Sequence, residues 1–311
     1  MAVSLTEAAK YTTNQVLKGV IEEIIRDSPV LDKLKFEDVV GNALQYLKEL
    51  TLPTAEFYDP NELWAESTGQ KTQKTAVIKI LGGDADVDNF LKQTRSNYTD
   101  LEAQTIEDKA KAVKHTFLDR FYYGNSSTST KEFDGVHTIF LGSDMSGQQI
   151  HLGSGGTGAA LSASVLDQAI DLVLGEKPSC IMMTRALRRR VKAYLRSKTN
   201  VQVNFNSYSQ DATMWNDIPI YYDDFLTQTE TITGTTFSSK TGGATSSVFL
   251  LRFDSKGIKG LQNGGLETVK IGQVQNKDAV RYRIKWYCGL AMMSVPSNAL
   301  IDGATNVAMI D

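Results

Sequence analysis

The chain has 311 residues, 41% of them hydrophobic and 22% charged, with 36 Asp+Glu against 33 Lys+Arg for a net charge of -3. That is long enough for a sizeable core, about two subdomains at roughly 150 residues each, and too apolar for a disordered chain. No window approaches the ~18 uninterrupted apolar residues of a membrane span, and MAVSLTEAAKYTTNQ lacks the basic and apolar regions of a secretion signal, so a soluble protein with no membrane partner is expected.

Residues 13–27, TNQVLKGVIEEIIRD, place Val16, Val20, Ile21, Ile24 and Ile25 at helical spacing, and Asp27-Ser28-Pro29 stops the run. This predicts an amphipathic arm that docks on its own body or on a neighbour. From 40 to 81 the strand-like VGNALQYLKEL and TAVIKIL bracket roughly 25 residues without regular pattern, where most connections run ~4–6. That segment carries Phe57, Tyr58 and Trp64, side chains enriched at protein interfaces. It reads as a binding loop or as a surface hairpin with a frayed tip.

A long helix is predicted over 97–122, close to ~40 Å, with Leu101, Ile106, Ala110, Val113, Phe117 and Phe121 in one stripe. Thr99 or Asn97 can cap it and Gly124-Asn125 ends it. Residues 155–240 alternate helix and strand. LSASVLDQAIDLVLGEK is a helix with Val165, Leu166, Ala169, Ile170 and Val173 inward, SCIMMT a buried strand, TRALRRRVKAYLRSK a second helix and IPIYYDDF a strand. A Thr/Gly/Ser-rich loop at 227–246 leads to SVFLLRFD, a turn-rich GLQNGGLE, and the strands VKIGQVQ, AVRYRIKWYCGLAMM and SVPSNALI. The sum is an α+β fold with a mixed sheet.

The candidate chemistries are thin. Cys180 and Cys288 sit in apolar contexts and read as free buried thiols of a reducing compartment. His115, His137 and His151 show neither metal-ligand spacing nor an obvious Ser or Asp partner, so no metal and no hydrolytic triad are expected. Asn97-Tyr98-Thr99 and Asn125-Ser126-Ser127 match glycosylation acceptors only formally. Gly153-Ser154-Gly155-Gly156-Thr157-Gly158 satisfies G-x-G-x-x-G, but no buried strand precedes it and no acid closes the next strand, which ends in Thr184-Arg185. A flexible hinge between two subdomains is the better reading, and no cofactor is expected. Asp223-Asp224 reads as a strand-to-loop turn with solvated acids.

The stretch ALRRRVKAYLRS at 186–197 puts Leu187, Val191, Tyr194 and Leu195 on one helical face and Arg185, Arg188, Arg189, Lys192 and Arg196 on the other. With no helix-turn-helix partner and no base-reading Asn or Gln beside it, specific DNA readout is not expected. A solvated face, a sequence-independent contact with phosphates, or pairing with acids on a neighbouring copy all remain open.

The order of parts resembles the major capsid proteins of tailed bacteriophages, the Hong Kong-97 type fold. VIEEIIRDSPVLDKLKFEDVVGNALQY resembles the arm leading into the first strand of the extended loop. HTFLDRFYYGNSSTSTKEFDGV resembles the end of the spine helix and its FxxG…FDG-type turn, and FLLRFDSKGIKGL with RYRIKWYCGLAMMSVPSNALI the closing strands with their Pro-x-x-Ala. The resemblance implies an N-terminal arm at 1–40 and an extended β-hairpin loop at 41–82 reaching over an adjacent subunit. It implies a peripheral domain with the spine helix at 83–150 and 258–286, and an axial α/β domain at 151–257 and 287–311. It further implies a non-catalytic virion protein, assembled in the host cytoplasm with itself as hexamers and pentamers into an icosahedral head around double-stranded DNA. Portal and scaffolding or decoration proteins would be its other partners; because no charged helical segment precedes the arm, a separate scaffolding protein or an already processed chain is expected.

On that reading Phe57, Tyr58 and Trp64 belong to the subunit interface. Arg188, Arg189, Lys192 and Arg196 face DNA or bridge to acids such as Asp223 and Asp224 of an adjacent axial domain. The covalent cross-linking known in the family does not carry over, because its residues have no matching positions. The competing expectations are an encapsulin-like shell holding a cargo peptide, a nucleotide-dependent enzyme using residues 153–158, and a DNA-binding protein using 185–196.

Overall fold

The computed structural model describes residues 28–95, 101–153, 156–198, 213–233 and 236–311. The expected arm helix at 13–27 and the caps Asn97 and Thr99 lie outside them.

The first half of the chain forms a short helix α1 (Val30–Lys33), strand β1 (Phe36–Asp38), the hairpin strands β2 (Ala43–Thr51) and β3 (Gln70–Val77), and β4 (Lys79–Asp88). Helices α2 (Asn89–Arg95), α3 (Leu101–Tyr123) and α4 (Val136–Phe140) follow, then β5 (Gln149–His151), β6 (Ala159–Ser162), α5 (Ala163–Asp171), β7 (Cys180–Met183) and α6 (Arg185–Ser197). The rest is strand: β8 (Thr213–Trp215), β9 (Ile218–Tyr222), β10 (Thr231–Thr233), β11 (Thr236–Ser239), β12 (Thr245–Leu251), β13 (Ile258–Gln273), β14 (Ala279–Met292) and β15 (Ala299–Ile310).

Two sheets organise these elements. A four-stranded sheet runs β1-β13-β14-β4, and a larger mixed sheet runs β5-β15-β12-β7-β9-β8, with β6 also paired to β15. The hairpin β2-β3 and the pair β10-β11 stand apart. In the larger sheet every residue of β7 and β12 is buried. Strand periodicity divides them between two cores: Cys180, Met182, Phe249 and Leu251 face the first, Ile181, Met183, Val248 and Leu250 the second. Burial on both faces is why SCIMM and SVFLL read as continuous apolar runs rather than alternating ones.

Helix α3 fills the first core with the expected stripe. Val113, Phe117 and Phe121 are buried, and Ile106 and Ala110 pack against them; the side chain of Leu101 is not among those described. Opposite lie Ile284, Trp286, Cys288, Leu290 and Met292, every second residue of β14, and the Phe117 and Trp286 ring centroids are 4.6 Å apart. Helices α5 and α6 cover the second core with Leu166, Ala169, Leu187 and Val191.

The FxxG…FDG turn has a steric cause. A Cβ on Gly124 would stand 2.4 Å from the Phe133 carbonyl oxygen, and one on Gly135 would stand 2.5 Å from that of Arg120. Gly135 N–H donates to Gly124 O at 2.9 Å, and Asp134 accepts from Ser126 N–H at 2.8 Å, so the loop closes on the helix end only without side chains there.

Two local expectations are corrected. GLQNGGLE is no turn: it lies inside β13, where Gly264 and Gly265 take positive φ values of 81° and 69° and the pairing with β14 shifts register. The glycines build a bulge, and the strand continues beyond it. Helix α5 is shorter than its sequence pattern, ending at Asp171, although Val173 still reaches the second core.

Candidate functional site

The β2-β3 hairpin pairs antiparallel from Ala43↔Val77 to Thr51↔Gln70. Its root is held to the body by Tyr46 OH, donating to Met292 O at 3.0 Å, and by Lys48 and Lys74, whose ammonium groups reach Asp144 at 3.1 and 2.8 Å. Hydrogen bonds from Lys74 and Lys48 hold the Asp144 carboxyl down to about 2. Beyond the root, residues 52–69 carry no strand or helix, and Phe57, Leu63 and Trp64 are exposed, Leu63 by 92% and Trp64 by 77%.

The tip nevertheless holds a shape of its own. Tyr58 stacks on Trp64 with ring centroids 4.6 Å apart and planes 11° from parallel, and its OH accepts from Ala65 N–H at 3.1 Å. Asp59 N–H donates to Glu62 Oε2 at 2.8 Å, and Ser67 Oγ donates to Thr54 O at 2.9 Å. The frayed-tip expectation is therefore replaced by an ordered loop whose apolar side chains project into solvent. An exposed apolar set of this kind marks an association surface.

Helix α6 starts at the N-cap Thr184, whose hydroxyl accepts from Leu187 N–H, and turns Leu187 and Val191 into the second core. Its outer stripe and Tyr222 of β9 enclose a groove of about 340 Å³, lined by Arg185, Arg188, Arg189, Lys192, Ala193, Arg196 and Tyr222. The Arg185 and Arg188 guanidinium carbons lie 4.4 and 5.2 Å from the centre of the Tyr222 ring. Arg185 also clasps Asp224 through two nitrogens, Nη2 at 2.6 Å. Arg190 points away from the groove and donates to the side chain and carbonyl of Asn306 at 3.0 and 3.2 Å.

No protein-family model matches the chain, and no curated protein matches its sequence. Its likeness is to solved shells. The holo-SrpI encapsulin of Synechococcus elongatus PCC 7942 superimposes over 100% of this chain and 99% of its own, with a TM-score of 0.68 and 14% identity. The capsid of cyanophage P-SCSP1u matches at a TM-score of 0.61 and 12% identity over 93% of this chain and 91% of that one. The capsid of Myoviridae phage XM1 matches at 0.60 and 14% over 92% and 95%. The chain has the Hong Kong-97 type capsid fold.

Within the Hong Kong-97 type fold several expected sites change meaning. Asp223 is not solvated: it is 1% exposed and accepts from Ser28 Oγ at 2.5 Å, Tyr122 OH at 2.9 Å and Phe225 N–H at 2.8 Å. Burial pushes its carboxyl up to about 6, against the pull of those donors. With Asp223 buried and Asp224 held by Arg185 of its own chain, neither acid is placed to bridge to another subunit's cations.

Two of the three histidines find acidic partners. His151 Nδ1 lies 2.7 Å from Asp302, and His137 Nε2 lies 3.4 Å from Glu230. Glu230 is fully buried and accepts from Ser247 Oγ at 2.6 Å, and from Tyr123 OH. Ser247 is itself fully enclosed, so the cluster offers no nucleophile to a substrate and works as a buried polar tie between α4, β12 and the chain around β10. Cys180 and Cys288 are free and buried, and burial pushes both thiols up to about 12. Among the described residues no group of His, Cys, Asp and Glu could hold a metal, and no helix is long and apolar enough to cross a membrane.

The glycine run is neither hinge nor phosphate cradle. Its flanks, β5 and β6, both pair parallel to β15 in one sheet, while Ser154 and Gly155 lie outside the described residues. Gly158 has φ 65°, and a Cβ there would stand 2.5 Å from Gly303 O; a Cβ on Gly156 would meet Ile232 O at the same distance. The chain's own backbone fills the space a pyrophosphate would need.

One pairing escaped the sequence reading although its signal was present. The alternating acids of DADVD in β4 lie against the alternating cations of RYRIK in β14. Asp84 takes both Nε and Nη2 of Arg283 at 2.7 and 2.9 Å, and Asp86 takes those of Arg281 at the same distances. Those bonds hold both carboxyls below their ordinary range.

Proposed function

We propose that this chain is a shell subunit, the major capsid protein of a tailed-phage head, which assembles with itself as hexamers and pentamers around double-stranded DNA. The observation that carries the reading is the β2-β3 hairpin: rooted by Tyr46, Lys48 and Lys74, it carries Phe57, Leu63 and Trp64 away from the body into solvent. Burying such side chains is worth roughly 1.5–3 kcal/mol each, which a second copy of the chain would supply. The full-length match to shells of the Hong Kong-97 type supports that occupant. On this reading residues 41–82 form the extended loop. Helix α3 with most of the four-stranded sheet would be the peripheral domain, 83–150 and 258–286, and most of the larger sheet the axial domain, 151–257 and 287–311.

The role is structural, not enzymatic: it uses exposed apolar area, and the His137–Glu230 pair is buried. Portal and scaffolding or decoration proteins would complete a virion assembled in host cytoplasm. The encapsulin reading shares the architecture, favoured by the 0.68 TM-score of the SrpI match. Particle contents separate the two, because nuclease-resistant DNA marks a phage head and co-purifying protein cargo an encapsulin.

The test compares wild type with Phe57→Ser/Trp64→Ser by size exclusion and negative-stain electron microscopy. Wild type should give rings or megadalton shells. The variant should stay a folded small species with the circular dichroism of wild type, because both side chains are exposed in the subunit. Wild type that never exceeds a small oligomer, or a variant that assembles equally well, would sink the reading.

A further inference from the structure

Helix α6 carries no acidic residue, and Arg185, Arg188, Arg189, Lys192 and Arg196 fall at i, i+3, i+4, i+7 and i+11 along one stripe of ~16 Å. Like charges at three- and four-residue spacing repel one another on a helix. Arg185, Arg188 and Arg189 also stand near the helix N-terminus, where the backbone dipole is positive and favours anions. Both effects raise the positive potential over the same groove, among whose described lining residues there is no acid.

The groove is also partly pre-organised. Tyr222 lies beneath the guanidiniums of Arg185 and Arg188, and Asp224 fixes Arg185 from outside the lining. A guanidinium already held on a ring loses less freedom when it meets an anion. Ala193, the small side chain among the cations, leaves the concavity. Of the acids that touch this helix, Asp224 is engaged by Arg185, and Asp311 by Tyr194 and the C-cap Lys198, all within one chain.

We propose that the α6 groove is a binding site for a run of adjacent phosphate groups, recognised by charge and spacing without base readout. Among the described residues no Asn or Gln lines the groove, so none of them reads a base edge there. The proposal goes beyond the shell reading: a shell with the groove neutralised would still assemble.

Nucleic-acid backbone and free oligophosphate offer the same chemistry, and two probes separate them: inorganic tripolyphosphate and a labelled duplex of arbitrary sequence. Affinities of the full-length protein for each would be measured by calorimetry and anisotropy between roughly 50 and 200 mM salt. Wild type should bind at least one probe, with log K falling linearly in log salt. Arg189→Gln/Lys192→Gln/Arg196→Gln should lose about tenfold or more. Arg190→Gln, on the same helix but outside the groove, should bind as wild type. Loss of both probes by the triple variant assigns the groove to any phosphate run, loss of the duplex alone to nucleic-acid backbone, and loss of tripolyphosphate alone to small oligophosphates. Should the triple variant lose its circular dichroism, Arg196→Gln alone reads the same effect at about threefold. Absence of binding by wild type, or unchanged affinity in the folded variants, overturns the proposal. Particle formation is scored separately on the same samples, so a failed shell reading and a failed phosphate site give different results.

Discussion

Asp223 shows what one buried carboxyl does to a fold. Its pKa of about 6 lies above the ordinary carboxylate value, so the folded state holds its proton more tightly than the unfolded chain does. The stabilisation from protonation is fully present below about pH 4 and is lost as pH rises through 6. Asp84, Asp86 and Asp144, held low by their cations, run in the opposite direction, so whole-protein titration alone would mix the two. Asp223→Asn isolates the group: between pH 4.5 and 7.5 its stability relative to wild type should improve by ~2 kcal/mol, read from urea unfolding at each pH. A difference flat with pH would mean that Asp223 stays charged throughout. Two adjacent acids after a strand gave no hint of this, because Asp223 is enclosed by Ser28 and Tyr122, 195 and 101 positions away. Asp224, one residue on, meets Arg185 instead.

Elements whose pattern repeats along the chain were legible. Helix α3 announces itself through Ile106, Ala110, Val113, Phe117 and Phe121, and the opposing face of β14 through its alternation. Phe117 is the point where they meet: fully buried, it touches the rings of Phe36, Phe133 and Trp286. Phe117→Ala should cost ~3–5 kcal/mol in denaturant unfolding, the usual range for an aromatic core truncation. A loss under ~1 kcal/mol would mean that the neighbours collapse into the space. Elements that depend on a distant partner were not legible. Asn263-Gly264-Gly265 has the composition of a turn, yet β14 on one side and β1 on the other keep the backbone extended around a bulge. The 153–158 glycines likewise serve Gly303 and Ile232, residues their own neighbourhood cannot reveal. Of the candidate surfaces, the hairpin and the α6 stripe were readable, since exposed side chains need no partner within the chain to be recognised. The Lys48–Asp144–Lys74 clamp was not, for the reason that hid Asp223.

At the scale of the whole molecule, the larger sheet is the common wall between two cores, and β15 lies one strand in from its edge, flanked by β12 on one side and by β5 and β6 on the other. Two of that sheet's six described strand pairings, β15 with β5 and with β6, join residues near 150–160 to residues near 300–310, a high contact order that predicts slow folding. A chain stopped after Ser297 should leave the edges of β12, β5 and β6 bare and should be recovered in the insoluble fraction on expression. A soluble, cooperatively melting product would contradict this role for β15. The position of that strand also sets a timetable. While a ribosome is still translating, the molecule has a finished hairpin but an open seam in its larger sheet, and only threading of residues 299–310 into the seam makes the body rigid. A growing wall would thus recruit finished molecules and pass over nascent ones, a checkpoint that requires no separate inspector.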